Sequence, residues 1–192
     1  MEEIILIGGG GHCKSVIDVL EQEGRFKIAG IIDKPELLGN KILNYKVIGS
    51  DDDLKKLAKQ YKNAIVTVGQ TVSSDIRVKL FTLAKEAGFV FPTIISPRAY
   101  VSKYANINEG TVVMHDTLIN AAALVGKNCI INSKAIIEHD ATIEDNCHIS
   151  TGTIINGTVQ VGQGSFIGSS ATTKEAIIIK KNSFVKAGSI IK

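Results

Sequence analysis

The chain has 192 residues, 44% of them hydrophobic, no Trp and a formal net charge of +3. So slight a positive balance, with no long basic run before the C-terminal lysines, argues against a nucleic-acid surface. No stretch approaches the roughly 18 apolar residues of a membrane span, and the apolar run Ile4–Ile7 is too short for a signal peptide, so no membrane insertion and a cytoplasmic location are expected. Cys13, Cys129 and Cys147 are an odd count without metal-ligand spacing, which suits packed, reduced thiols and no metal.

In chain order, Glu3–Ile7 reads as a strand that runs into Gly8-Gly9-Gly10-Gly11 and then a helical pattern from His12 to Glu23. Val16, Ile17, Val19 and Leu20 make its buried stripe, and Gly24 stops it. Lys27–Ile32 reads as a second strand ending at Asp33. Ser50 is a helix N-cap followed by Asp51, Asp52 and Asp53, whose charges suit the N-terminal dipole of a helix over Leu54–Lys62. Ala64–Val68 is a third strand, ending at Gly69-Gln70. Ser73 or Ser74 caps a further helix to Ala87, and Phe89–Phe91 is a short strand. Alternating strands and helices predict a small α/β, Rossmann-like domain over residues 1–92.

Glycines between a first strand and a helix let a phosphate approach the backbone, where the helix N-terminus offers N–H donors. Asp33 ends the second strand, a place where such sheets bind a ribose or base. The third glycine of a dinucleotide fingerprint is missing, since Cys13 stands there. A nucleotide or nucleotide sugar fits better than NAD, with a structural glycine turn as the other reading. Gly69 and Gln70 are expected on the same sheet edge.

The second half has a different grammar. Every sixth residue from Val101 to Ile191 is Val or Ile in fifteen of sixteen positions, the exception being Thr173. The residue two places earlier is usually small, as at Ala123, Cys129, Ala135 and Cys147. Period six fits a hexapeptide-repeat parallel β-helix over residues 93–192, with Pro92–Pro97 as the join. Three hexads per coil give about five coils, stacked to about 25 Å at the spacing of paired strands. The residue after each column position is often Asn or Gly (Asn108, Asn120, Gly126, Asn132, Asn156, Gly162, Gly168), so positive φ is expected there.

With the interior filled, chemistry is confined to outer faces and corners. His139 opens a hexad, so it stands at a corner between Glu138 and Asp140. A neighbouring carboxylate can fix an imidazole's tautomer and raise its basicity, as a general base needs; an exposed, solvated histidine is the bland reading. His148 follows after nine residues, one and a half hexads, which puts it on another face of the same prism. If both serve one site, adjacent subunits must supply them. His115 is read as a surface residue. Lys174, Lys180, Lys186 and Lys192, joined by Lys181, form either a solvated rim or an attraction for the phosphates of coenzyme A.

The glycine-rich Gly8–His12, the join Ile-Ile-Ser-Pro-Arg-Ala (94–99) and the segment Asn132-Ser-Lys-Ala-Ile-Ile-Glu-His139-Asp140 together carry a resemblance. The chain resembles, over nearly its whole length, the sialic acid O-acetyltransferase family that includes the UDP-4-amino-sugar N-acetyltransferases of bacterial glycan synthesis. The resemblance implies a left-handed β-helix, an exception to right-handed crossover, in a homotrimer with inter-subunit active sites. It implies acetyl-CoA-dependent N-acetylation of a nucleotide-linked sugar. O-acetylation of sialic acid and a non-catalytic trimeric scaffold that binds a sugar nucleotide are the alternatives. His139 matches the general base and Asp140 its acidic neighbour. His148 matches the residue that hydrogen-bonds the acetyl group, and Ser169 and Ala187 match later coenzyme contacts. Gly10, Gly11, His12, Asp33, Lys34 and Gly69 match nucleotide-sugar contacts. An oxyanion donor is also required, for which backbone N–H groups near Gly152 or Gly157 are candidates. Relatives continue beyond a segment like Ala187–Ile191 into a Pro-containing tail that this chain, ending at Lys192, lacks. Weaker binding at the adenine end, with more reliance on the lysines, is therefore expected.

Overall fold

A computed structural model describes residues 1–192 as two compact units. Residues 1–69 and 75–92 form one; 93–192, together with Gln70–Ser74, form the other.

The first unit is a five-stranded sheet built from β1 (Glu2–Ile7), β2 (Phe26–Ile32), β3 (Lys41–Ile42), β4 (Tyr45–Gly49) and β5 (Asn63–Val66), in the order β3-β4-β2-β1-β5. All pairings are parallel except the β3–β4 hairpin at the edge. Ile4–Ile7 of β1 are all fully or almost fully buried, as a central parallel strand covered on both faces requires. Helix α1 (Gly11–Glu23) buries Val16, Ile17, Val19 and Leu20, and ends at Gly24 in the left-handed conformation (φ 68°). Ser50 and Asp53 form a capping box, whose backbone hydrogen bond holds the Asp53 carboxyl below its ordinary range. The helix that follows, α2 (Leu54–Leu57), is shorter than the expected Leu54–Lys62. Helix α3 (Asp75–Ala87) follows the pattern. Phe89 and Phe91 are buried, yet only Val90 bridges to Asn63 in place of the expected strand. The β3–β4 hairpin escapes sequence reading because β3 is only two residues long.

The second unit is a three-sided left-handed parallel β-helix of two-residue strands, stacked in sheets of six, six and five. The first face runs from Ile94–Ile95 through Ile130–Ile131 and His148–Ile149 to Phe184–Val185. The second runs from Tyr100–Val101 through Ile136–Ile137 and Ile154–Ile155 to Ile190–Ile191. The third runs from Asn106–Ile107 to Ile178–Ile179. Column residues such as Val125, Ile131, Ile137 and Ile143 fill the interior with the small residues Ala123, Cys129, Ala135 and Ala141. Cys147 and Cys129 share this interior; the contact with Cys129, and then burial, push the Cys147 thiol pKa far up. The Cys147 thiol stays protonated.

Positive φ falls three residues after the column position, as at Asp116, Asn128, Lys134, Asp140, Gly152 and Ser170, and not on the residue just after it. The glycines of that earlier position answer a different constraint. A Cβ on Gly126, Gly162 or Gly168 would stand within 2.6 Å of a backbone nitrogen in the next coil. Asparagines there turn outward and bond the neighbouring coil, as Asn108 does by donating to the Val125 carbonyl.

Thr173 marks the one irregular rung. In neighbouring coils the residue after the column donates its N–H to a column carbonyl one coil on, as Glu138 does to Ile155 and Asn132 to Ile149. The Asn156 N–H goes instead to Thr173 Oγ1 at 2.9 Å, and its side-chain amide takes the Thr173 carbonyl at 2.6 Å. A buried hydroxyl in an apolar column is thereby satisfied, and it reshapes the turn that carries Gly157.

Candidate active site

His139 lies on the corner between the second and third faces, in the turn after Ile136–Ile137. Asp140 adopts the left-handed conformation (φ 60°), and its Oδ2 lies 2.8 Å from His139 Nδ1. The side chains are 61% and 56% exposed. A carboxylate only accepts, so Nδ1 carries the proton and Nε2 keeps its lone pair. The ring lies over Gly157, one coil on. A Cβ at Gly157 would come within 2.9 Å of His139 Cε1 and 3.0 Å of Nε2. Gly157 is buried, and its N–H takes part in no hydrogen bond within the chain. A base with an open nitrogen therefore sits against an uncommitted backbone donor. The other candidate, Gly152, donates its N–H to the Ser133 carbonyl.

His148 begins a strand of the first face, away from the His139 corner. It is only 8% exposed. Its Nδ1 is 2.6 Å from the Gln70 carbonyl and its Nε2 3.2 Å from Asn132 Nδ2. Gln70 thus does not line the glycine crevice as expected. It is buried in the second unit, its amide reaching the Gly164 and Ser165 carbonyls. A residue anchored 78 positions from its histidine leaves no local signal in the sequence.

Ser169 and Ala187 stack on the corner between the first and second faces, the corner that also carries Asn132. Ser169 Oγ bonds Ser150 Oγ at 2.9 Å. The C-terminal lysines are exposed but follow successive corners, so they encircle the prism and make no single patch. Lys186 alone of them shares the corner of Ser169 and Ala187. His115 departs from its reading as a surface residue. It is half-buried and bonds Ser96 Oγ at 2.7 Å, while Asp116 pairs with Arg98.

In the first unit, the strand ends open into a hollow of about 340 Å³ lined by Gly8, Gly9, Gly10, Asp33, Lys34 and Gly69, among others. Its glycines have separate tasks. A Cβ on Gly8 would strike Val68, and one on Gly9 would strike Ile42 and Asp33. Around Gly10, the N-cap of α1, and Gly11, its first residue, the space is open. Asp33 braces the loop by accepting the Gly9 N–H at 2.6 Å and the Lys34 N–H at 2.8 Å. His12 stands in the first turn of α1, and Gly69 faces its Cβ. A second hollow of about 510 Å³ shares Gly8, Asp33 and Lys34 and adds Ser50, Asp51, Asp52 and Lys79. Desolvation raises the Asp51 pKa. Sequence reading took Ser50, Asp51 and Asp52 as helix-capping chemistry and did not single out Lys79. Under the loop, burial pushes the Cys13 thiol up to about 11.

The model of the PglD N-terminal domain matches residues 3–82. The bacterial transferase hexapeptide (six repeats) matches 122–157, and the hexapeptide repeat of succinyl-transferase matches 158–192. Among solved structures, a histidine-to-asparagine mutant of perosamine N-acetyltransferase from Caulobacter crescentus, in complex with CoA and GDP-perosamine, is similar. It is 31% identical with a TM-score of 0.94, over 100% of this chain and 89% of that one. The acetyltransferase domain of PglB from Neisseria gonorrhoeae FA1090, in complex with acetyl coenzyme A, is 28% identical with a TM-score of 0.91, over 99% and 92%. WeeI from Acinetobacter baumannii AYE, at 21% identity and a TM-score of 0.65, shares the fold. A search of curated proteins gave no significant match.

Proposed function

The chain belongs to the hexapeptide-repeat sugar acetyltransferases with a PglD-type N-terminal domain, and on that footing we propose that it moves the acetyl group of acetyl-CoA onto the amino group of a nucleotide-linked sugar. The observation that carries this reading is the His139–Asp140 pair lying over the Gly157 amide.

His139 Nε2 takes a proton from the sugar amine as its nitrogen attacks the thioester carbon. Asp140 holds the proton on Nδ1 and balances the imidazolium that forms. The Gly157 N–H donates to the oxyanion of the tetrahedral intermediate. Collapse breaks the C–S bond, and the thiolate of coenzyme A takes the proton back from His139. Ser169 and Ala187 hold the coenzyme along their corner. In the first unit, the open space at Gly10 and Gly11, together with His12, Asp33, Lys34 and Gly69, receives the nucleotide sugar, with the diphosphate at the helix N-terminus.

Two features support a trimer with sites shared between subunits. His139 and His148 lie on different parts of one prism. The second face also shows an outward column, Tyr100, Leu118, Ile136, Ile154, Thr172 and Ile190, apolar at every position but Thr172, whose ends are 62% and 75% exposed. Three free thiols favour a reducing, cytoplasmic compartment. A UDP-linked 4-amino sugar is the acceptor class proposed. The test is acetyl-CoA turnover against UDP- and GDP-linked amino sugars and free sialic acids, alongside sedimentation. Turnover with a UDP-amino sugar is expected. Turnover only with GDP-linked sugars would replace the base, turnover only with sialic acids would replace the reaction, and a monomer would remove the shared site.

A further inference from the structure

The nucleotide-sugar contacts implied by the resemblance gather at the glycine loop. They leave unassigned the larger hollow of about 510 Å³, which adjoins the glycine hollow through Gly8, Asp33, Lys34 and Val68. Its volume is that of a small-molecule site. Buried Ile7, Ile32 and Leu80 line it, and so does Ile76, in the first turn of α3, although 64% of that side chain is exposed. Apolar walls of this kind suit the flat face of a ring. The rim is polar. Ser50, Asp51 and Asp52 follow the end of β4, and Lys79 lies three residues beyond Ile76 on the same side of α3. Asp33 already accepts a backbone N–H on each oxygen, and Ser50 and Asp53 bind each other in the capping box. The Asp51 carboxylate and the Lys79 ammonium have no hydrogen-bond or ion-pair partner of that kind. Desolvation raises the Asp51 pKa and the Lys79 charge opposes the rise, so the two groups stand near enough to interact. A group that only accepts is thus set beside one that only donates.

Such a pair matches one edge of a nucleobase, a ring N–H beside a carbonyl. Uracil has that edge at N3–H and O4, guanine at N1–H and O6. Cytosine and adenine put a bare ring nitrogen and an amino group in those places, which sets a lone pair against the carboxylate and an N–H against the ammonium. We propose that this hollow holds the base of the nucleotide sugar, with Asp51 accepting its ring N–H and Lys79 donating to the neighbouring carbonyl oxygen, so that these two residues select uracil or guanine. One ribose joins a base to its diphosphate, which suits two hollows that meet at Asp33 with the diphosphate at the glycine loop. The inference rests on the nucleotide-sugar reading above and adds the residues that choose the nucleotide.

The test is calorimetric binding of UDP, CDP, GDP and ADP to the full chain, beside acetyl-CoA turnover on nucleotide-linked amino sugars. UDP and CDP differ only at the proposed edge. Wild type is expected to bind UDP or GDP at least about tenfold more tightly than its amino counterpart, CDP or ADP, as one hydrogen bond to a charged group provides. Whichever of UDP and GDP binds more tightly names the linked nucleotide. Asp51→Asn offers a donor as well as an acceptor, so the preference should fall to within about threefold, largely through a gain for the amino counterpart. Lys79→Met should weaken the preferred nucleotide by about fivefold. Melting within about two degrees of wild type reports folded variants. A preference that survives Asp51→Asn overturns the assignment, and so does tighter binding of CDP or ADP. Wild type that acetylates nucleotide-linked sugars yet binds all four nucleotides alike defeats this proposal alone. Wild type that binds none of the four removes the nucleotide-sugar reading as well.

Discussion

The prism holds its two histidines in opposite ways. His139 is 61% exposed, with one ring nitrogen tied to a carboxylate and the other open over Gly157. His148 is 8% exposed, with a backbone carbonyl on one nitrogen and an amide NH2 on the other. A general base must gain and lose a proton in each turnover, so it needs an open nitrogen and a neighbour that welcomes the imidazolium. The carboxylate of Asp140 supplies that neighbour. A ring clamped between an acceptor and a donor can move a proton only by breaking one of those bonds. On the proposed reading, the same residue type serves chemistry at one corner and geometry on another face.

Exchanging each histidine for alanine is the most direct way to break that contrast. His139→Ala should lower kcat by about 10²- to 10⁴-fold, the usual range for a lost general base, with the melting temperature unchanged within about a degree. His148→Ala should register in stability. It leaves the Gln70 carbonyl without its donor, which costs about 1–3 kcal/mol, measurable by denaturant unfolding. If His148→Ala is the change that abolishes turnover at unchanged stability, the roles are reversed.

Two neighbours of His139 sharpen the contrast further. Gly157→Ala places a Cβ within 2.9 Å of the ring and must displace it. Misplacement on that scale should reduce kcat by roughly a hundredfold while thioester binding persists. Asp140→Asn lets an amide donate to Nδ1, which moves the ring proton onto Nε2 and occupies the lone pair the reaction uses. A loss of at least about tenfold in kcat is expected, and wild-type turnover in this variant would remove the tautomer role. Steady-state kinetics with acetyl-CoA measures both.

Much of this was legible in the residues. A six-residue column of Val and Ile has few structural meanings, and once it is read as a β-helix the position of His139 at a corner follows. The corner conformation was misread. All fourteen left-handed residues of the prism lie three places after the column, and they include Asp, Ala, Asn, Lys, Thr and Ser as well as Gly. A turn that accepts so many types leaves no compositional trace. The Asn and Gly one place after the column reflect contact with the next coil instead. The clamp on His148 was invisible for another reason. Gln70 sits at the end of what reads as a Rossmann-like edge, and nothing nearby shows that it is buried with residues far along the chain. In the first unit, long apolar strands announced themselves, whereas the β3–β4 hairpin and the four-residue α2 fall below the length at which periodicity is visible.

The smallest expected effect comes from the break in the column, and it tests how closely the His139 corner depends on the coil behind it. Thr173→Val keeps the side-chain shape and removes the hydroxyl that accepts the Asn156 N–H. That N–H can then take the residue-173 carbonyl, as its counterparts do at Glu138 and Asn132. The rung becomes regular, so stability should change by less than about 1 kcal/mol. The Asn156 side chain must give up the same carbonyl, which it now holds at 2.6 Å, and the turn into Gly157 shifts with it. Gly157 lies against the His139 ring, so a displacement of a few tenths of an ångström should lower kcat a few-fold while thermal unfolding stays close to wild type. A change in melting temperature with unaltered kcat would show that Thr173 serves only the stacking of the coils.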